Sequence, residues 1–559
     1  MSIRKPRVTA LASAAVLATL AATVTTAGAA GAVESGSSAA PTLVTTAEGP
    51  VQGTAAGAVR TFQGIPYAAA PTGERRWKAP QSVRRWSKPL DATAPRSACA
   101  QPTDQPIAIA GGGSEDCLHL NVTTPAAPRS QRLPVIVWIH GGSFTYGDGA
   151  SYRAAKLAAA RQGAVVVTVN YRLGAFGFLT APGLRAPANL GLLDQQAALK
   201  WVRRNAGAFG GDARNVTLMG QSGGGYSVCA QLVSPGARGL FHKAVVQSAG
   251  CVGPDGSFTR AQAEARGRIV AKAAQCDDTR NDVRDDARTV DACLRATGTA
   301  DLVKASVAAP APEPGSAPDP EADPHNRYRP VVDGTVLPEA PASAIAAGRF
   351  ARVPVLHGST HDEMSALAGM KELTTGEPLT TEGYAEAIRS GRFKNNAAAV
   401  LAEYPASAYP TPSQALSAVL TDSEWSTAAL DTQRALARHT SVHAYDFAEA
   451  SSPYFKDVPR PKSYSLGTGH MVDLAYFFEN GLFEPLNTAQ AALSDTVTAY
   501  WSRFAATGQP NGPGLPAWKS FTSHTPRVSV QRLASDRIGP TDFAADHHHA
   551  FWKSLTPAS

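Results

Sequence analysis

The stretch Asn215–Val233, NVTLMGQSGGGYSVCAQLV, changes character in its middle. Asn215–Met219 carries apolar and β-branched residues on both parities and reads as a buried strand. From Gly223 onward the composition suits the first turns of a helix. Between them stands Gly220-Gln221-Ser222-Gly223-Gly224, a G-x-S-x-G. At a strand-to-helix turn this pattern has mechanical meaning, because glycines permit a strained corner that lifts the serine hydroxyl into the open. The helix start then offers unpaired N–H groups to developing negative charge. Ser222 is the candidate nucleophile.

Working outward, the strand pattern repeats. Leu133–His140 (LPVIVWIH), Val165–Tyr171 (VVVTVNY), Lys243–Ser248 and Val353–His357 are short and apolar on both parities, as strands covered on both faces are. Leu193–Ala208 places Ala197, Leu199, Trp201 and Val202 among charged residues, as an amphipathic helix does. Strand and helix in alternation predict an α/β fold, with a mostly parallel central sheet and helices on both faces. The 559 residues, 43% hydrophobic and 17% charged, suffice for a large core. One stretch breaks the rhythm: Ala308–His325 is rich in proline and acid and reads as an exposed loop. It belongs to an insertion around 255–345 within a single domain spanning 42–556.

The N-terminus reads differently. Arg4, Lys5 and Arg7 precede an apolar stretch from Val8 to about Val24, and Ala30-Gly31-Ala32 offers small residues for cleavage. Residues 1–32 are expected to be a secretory signal peptide, with 33–41 a disordered leader and the mature chain secreted. No later run approaches the ~20 apolar residues of a spanning helix, so stable membrane insertion is not expected. The chain has 52 Lys and Arg against 45 Asp and Glu. Three of the basic residues lie in the expected signal peptide and the others are scattered, without interleaved aromatics, which gives nucleic-acid binding no support. Six cysteines follow the leader: Cys99, Cys117, Cys229, Cys251, Cys276 and Cys293. An even number in an exported chain predicts disulfides. Sequence leaves the pairing open, and sequential pairing is the simplest of the alternatives. No C-x-x-C pair suggests a metal.

A second element follows the strand at Leu133. His140-Gly141-Gly142-Ser143-Phe144 is a glycine-rich loop of the kind whose backbone N–H groups hold an oxyanion. With it the chain resembles the type-B carboxylesterase family, which includes cholinesterases, mammalian carboxylesterases and bacterial p-nitrobenzyl esterases. The markers are Phe62–Ala68 (FQGIPYA), Glu115–Val122 (EDCLHLNV), Val137–Phe144 (VWIHGGSF), Asn170–Leu179 (NYRLGAFGFL) and Asp194–Gly224. Gly239–Gly250 (GLFHKAVVQSAG) and Trp501–Asn511 (WSRFAATGQPN) continue the match, which runs from about Thr42 to Trp552. The resemblance implies the α/β-hydrolase fold, with helical and loop insertions.

The chain order on that fold is serine, acid, histidine. Gly467–Leu474 (GTGHMVDL) resembles the family's catalytic-histidine loop and implies His470 as base. Val355–Glu363 (VLHGSTHDE) resembles the strand-end motif whose last glutamate orients the histidine, implying Glu363, with Asp362 as the competitor. His443, inside a strand-like stretch, reads as structural. The resemblance implies an oxyanion hole of the N–H groups of Gly142, Ser143 and Gly223. It also exposes departures. Gln221 stands where the family has Glu, Gly223 where it has Ala, and Ser143 and Met471 where it has Gly, which makes the needed backbone angles less free.

The resulting expectation is a secreted carboxylic-ester hydrolase working through an acyl-enzyme on small-molecule esters, with no cofactor and no metal. A metal set of His357, His361 and Glu363 is disfavoured, because the residues run from a strand into a loop. The His547–His549 triplet reads as a solvated terminal helix. Residues 100–116 contain no aromatic, so the tryptophan that stacks on choline in cholinesterases has no counterpart there. The rival expectation is a binding or adhesion protein of the same fold, but such members lose the nucleophile, and Ser222, Glu363 and His470 are all present.

Overall fold

The structure, a computed structural model, describes residues 41–103, 112–127, 130–253, 256–277, 289–308, 328–522 and 529–555. The expected signal peptide and nearly all of the leader lie outside the described residues, as does most of the proline- and acid-rich stretch.

Eleven strands form one sheet. In chain order they are β1 (Thr54–Ala56), β2 (Val59–Pro66), β3 (His119–Pro125), β4 (Leu133–Ile139), β5 (Val165–Val169) and β6 (Gly211–Gln221). Then follow β7 (Lys243–Gln247), β8 (Val355–Thr360), β9 (Val442–Phe447), β10 (Val530–Leu533) and β11 (Ile538–Thr541). Their spatial order is β1-β2-β3-β5-β4-β6-β7-β8-β9-β10-β11. Pairing is parallel from β5 through β10 and antiparallel at both ends.

The apolar runs become buried strands because each parity meets a different core. Val135, Val137 and Ile139 of β4 join one cluster, while Ile136 and Trp138 join another on the opposite face. The split repeats in β9, with Val442 and Ala444 on one side and Tyr445 and Phe447 on the other. One face is covered by helices Leu190–Asn205, Gly223–Val233 and Thr427–Ala437, through residues such as Leu199, Val228 and Leu436. The other is covered by Thr488–Thr507, through Val497, Trp501 and Phe504. Burying each such side chain contributes roughly 1.5–3 kcal/mol. The mostly parallel α/β-hydrolase sheet with helices on both faces is therefore present.

One part of the architecture had no counterpart in the sequence reading. Between β8 and β9 the chain makes a long helical excursion through Ser365–Thr375, Thr381–Ser390, Ala397–Glu403 and Pro412–Leu420. It has its own apolar cluster, including Tyr384, Ile388, Tyr404 and Val419, closed by Trp552 from the C-terminal helix His549–Leu555. The excursion lies at the carboxyl ends of the strands, where open α/β sheets place their ligands.

The cysteines pair sequentially: Cys99 with Cys117, Cys229 with Cys251, and Cys276 with Cys293. The second bridge ties the helix after Ser222 to the segment following β7. Among the described residues no helix is long and apolar enough to cross a membrane.

Candidate active site

Ser222 sits between β6 and helix Gly223–Val233 with φ +55° and ψ −125°, a conformation outside the regions a serine favours. The flanking glycines make the corner possible. A Cβ on Gly220 would lie 2.3 Å from the Gly224 carbonyl oxygen, and one on Gly224 would lie 2.0 Å from that of Ile139. The Ser222 N–H donates to the Gln247 carbonyl at 3.0 Å, which fixes the corner to the end of β7.

The loop after β4 comes to meet it. Gly142, Ser143 and Phe144 have φ values of +107°, +50° and +59°. A Cβ placed on Gly223 would lie 3.2 Å from the backbone nitrogens of both Ser143 and Phe144, so these N–H groups and Gly223 converge.

Glu363 follows β8 and is buried. Its Oε1 accepts from the Thr360 N–H at 3.0 Å, and its Oε2 lies 2.5 Å from His470 Nδ1. The His470 N–H also donates to the Glu363 carbonyl at 3.2 Å. Asp362 is employed elsewhere: its Oδ2 accepts from the Thr468 N–H at 2.9 Å and so shapes the histidine loop from below. The other ring nitrogen of His470 lies 3.2 Å from Gln221 Nε2. Met471, the next residue, has φ +76°. Asp473 is fully buried beside them, where Gln247 Nε2 donates to its Oδ2 at 2.8 Å. Burial first, then repulsion from Glu363, raises its carboxyl to about 7.

Ser143, Ser222, Gly223 and His470 line one cavity of about 640 Å³. The sequence-derived site residues, scattered over more than three hundred positions, thus follow the carboxyl ends of the interior strands β4, β6 and β8 or meet the residues there. The roof was missed by the sequence reading. It consists of Met364, Leu367, Ile388, Phe393, Leu420 and Trp425 from the excursion. Trp425 stands on a π-helical turn, Thr421–Ser426, with its ring centroid 4.9 Å from that of His470. Its indole N–H points at the Met364 sulfur at 3.1 Å. No sequence motif marks it. The signal is geometric, since π-turns inside helices gather at functional sites.

The remaining histidines separate by environment. His357 and His443 are buried in their strands, and burial lowers each to about 4. The expectation that His547–His549 form a solvated terminal helix is corrected: His547 and His549 are 3% and 6% exposed. They are buried because Asp422 and Asp431 receive them at 2.6 and 3.1 Å. His361 lies near His547. Burial disfavours its charge, but Asp446, with Asp362 and Asp422, outweighs that and raises it to about 10.

The chain is similar to several known proteins. Residues 40–549 match the model of the carboxylesterase family. The chain is 35% identical over 500 residues to a para-nitrobenzyl esterase of Bacillus subtilis (strain 168), covering 86% of this chain and 94% of that one. It is 31% identical to a cocaine esterase of Oryctolagus cuniculus, over 84% of this chain and 87% of the relative. With an acetylcholinesterase of Bungarus fasciatus it shares 32% identity, over 92% and 86%. Among solved structures, a thermophilic PNB esterase superposes with a TM-score of 0.72 at 30% identity, covering 92% of this chain and all of its own. The family match over residues 40–549 and the similarity to these esterases over most of the chain show that it belongs to the carboxylesterase family and is a carboxylic ester hydrolase.

Proposed function

We propose that the hydrolysis runs through an acyl-enzyme on Ser222, with His470 as general base and Glu363 as the acid that orients it. The observation that carries this reading is the 2.5 Å contact of Glu363 Oε2 with His470 Nδ1. It commits Nδ1 to the carboxylate, and His470 and Ser222 line the same cavity. In the first step His470 Nε2 takes the hydroxyl proton of Ser222 as the oxygen attacks the ester carbonyl. The N–H groups of Gly142, Ser143 and Gly223 receive the oxyanion, and each such donor is worth about 10²–10³ in rate. His470 returns the proton to the departing alcohol. Water then repeats the sequence on the acyl-serine and releases the acid. No step requires a metal or cofactor.

The substrate class is small-molecule esters, with the acyl or alcohol portion under the apolar roof. Secretion is part of the same proposal, supported by the basic-then-apolar leader and by three disulfides, which persist in oxidising compartments.

Ser222→Ala tests the assignment. The expected result is loss of turnover of p-nitrophenyl esters and of labelling by a fluorophosphonate probe, with unchanged melting of the fold. Retained turnover would assign the chemistry to another group. A series of p-nitrophenyl esters of rising acyl length then measures how much chain the cavity accepts.

A further inference from the structure

We infer that His361, Asp446 and His547 form a binding site for a divalent transition-metal cation of the zinc class, outside the ester-cleaving machinery. One ligand atom from each of the three lies within 4.8 Å of the other two. They come from different parts of the chain: the turn after β8, the strand β9, and the segment between the two C-terminal helices Phe543–Asp546 and His549–Leu555.

An arrangement of two separate ion pairs accounts for part of the cluster. His361 Nδ1 lies 3.0 Å from Asp446 Oδ2, and His547 Nδ1 lies 2.6 Å from Asp422 Oδ1. That arrangement leaves two atoms unaccounted for. His547 Nε2 and Asp446 Oδ1 are both buried without a hydrogen-bond partner among the described residues. Their side chains are 4% and 2% exposed, and a buried polar atom left without a partner is destabilising. A cation between them satisfies both at once.

The surroundings suit a metal in detail. Asp422 accepts from His547 Nδ1, which fixes the tautomer and leaves the Nε2 lone pair available. A carboxylate behind a histidine in this way is the usual support of a metal-bound imidazole. Two imidazoles and one carboxylate are a ligand set for Zn²⁺, whose coordination is completed by water or the second carboxylate oxygen. His361 is the most exposed member, its side chain 37% accessible, and provides the entry path. The metal's effect would be to fasten the C-terminal helices to the ends of β8 and β9.

The test is Zn²⁺ titration of the full oxidised chain after EDTA treatment and removal of the chelator, by calorimetry. The expected result is one ion per chain, a rise in melting temperature of several degrees at saturation, and visible d–d bands of a low-coordinate site when Co²⁺ is used. His361→Gln and His547→Gln are each expected to weaken Zn²⁺ by about 100-fold, and Asp422→Asn by about 10-fold. His548→Gln, whose Nδ1 meets Glu403 away from the cluster, is expected to bind as the parent does. His361→Gln alters an accessible side chain, so its result stands even if His547→Gln fails to fold. Absence of stoichiometric binding, or affinity kept in His361→Gln, would overturn the inference and leave ordered water as the partner of the two orphaned atoms.

Discussion

Gln221 Nε2 lies 3.2 Å from His470 Nε2, the ring nitrogen that faces away from Glu363. The amide can donate to the lone pair that the proposed mechanism assigns to the Ser222 hydroxyl proton. When the imidazolium forms, the amide must turn its oxygen inward to remain a partner. A carboxylate at this position would face the charged ring without turning. Gln221→Glu is therefore expected to move the acid limb of the kcat/KM profile to higher pH by about 1–2 units, because a nearby negative charge favours the protonated ring. Activity on the alkaline plateau is expected to change by only a few-fold. Profiles of p-nitrophenyl acetate hydrolysis from about pH 5 to 9 read the shift directly.

Ser143 and Met471 hold φ values of +50° and +76° at positions where the resembling family carries glycine. A side chain in this region costs about 1 kcal/mol. Ser143→Gly is expected to stabilise the fold by up to about 1 kcal/mol, the relief of strain being partly offset by the entropy of glycine in the unfolded chain. Met471→Gly is expected to come out near zero, since the Met471 side chain packs against the core beneath β9 and that contact is lost. Urea denaturation of the two variants separates these outcomes.

Trp425 holds its ring 4.9 Å from that of His470 and roofs the cavity. An aromatic pair of this kind contributes about 0.5–1.5 kcal/mol beyond burial. Trp425→Ala is expected to lower kcat/KM for short-chain p-nitrophenyl esters by about 10-fold, and less for long-chain esters that fill the vacated space. Trp425→Phe is expected to recover most of the loss. An equal loss at every acyl length would show that the indole acts on the imidazole alone.

Stability should depend on acid through the buried histidines. His119, His357 and His443 are each lowered to about 4 from 6.5, burial being the main cause. Below pH 6.5 the unfolded chain gains protons there that the folded chain refuses until about pH 4. Stability is therefore full at neutral pH and falls as pH drops through that window, by up to about 3 kcal/mol per group. Asp473, raised to about 7, acts in the opposite sense: between pH 3.8 and 7 its stability contribution falls as pH rises. His361, held protonated to about 10, contributes evenly below pH 6.5. Three groups against one give a net loss of stability on acidification. Melting at pH 7.5 and 5.0 checks it, and His443→Gln is expected to flatten the difference.

Much of this was legible in the sequence because the informative residues sit where the backbone allows few alternatives. Ser222 could be placed because glycines on both sides of a strand-to-helix corner have one mechanical use. The strands were legible because residues such as Val135 and Ile136 must both find cover, which demands helices on two faces. The choice of Glu363 over Asp362 came from a resembling motif; Glu363 Oε2 meets His470 Nδ1, whereas Asp362 is turned toward the Thr468 N–H. The roof was not legible. Trp425, Leu367 and Phe393 act only through long-range packing, and nothing local distinguishes them from ordinary helix residues. The His547–His549 triplet misled for a related reason: polar residues in sequence look solvated unless their distant partners, here Asp422 and Asp431, are known.

The roof is carried by one excursion, from the turn after β8 to the crossover helix leading into β9, with its own apolar centre around Tyr404. None of its helices takes part in the register of Val355 against Val442. Natural variation can therefore remodel what the enzyme admits while the cleaving groups stay still. New ester preferences become accessible by editing the roof, a division of labour that lets one scaffold diversify without relearning its chemistry.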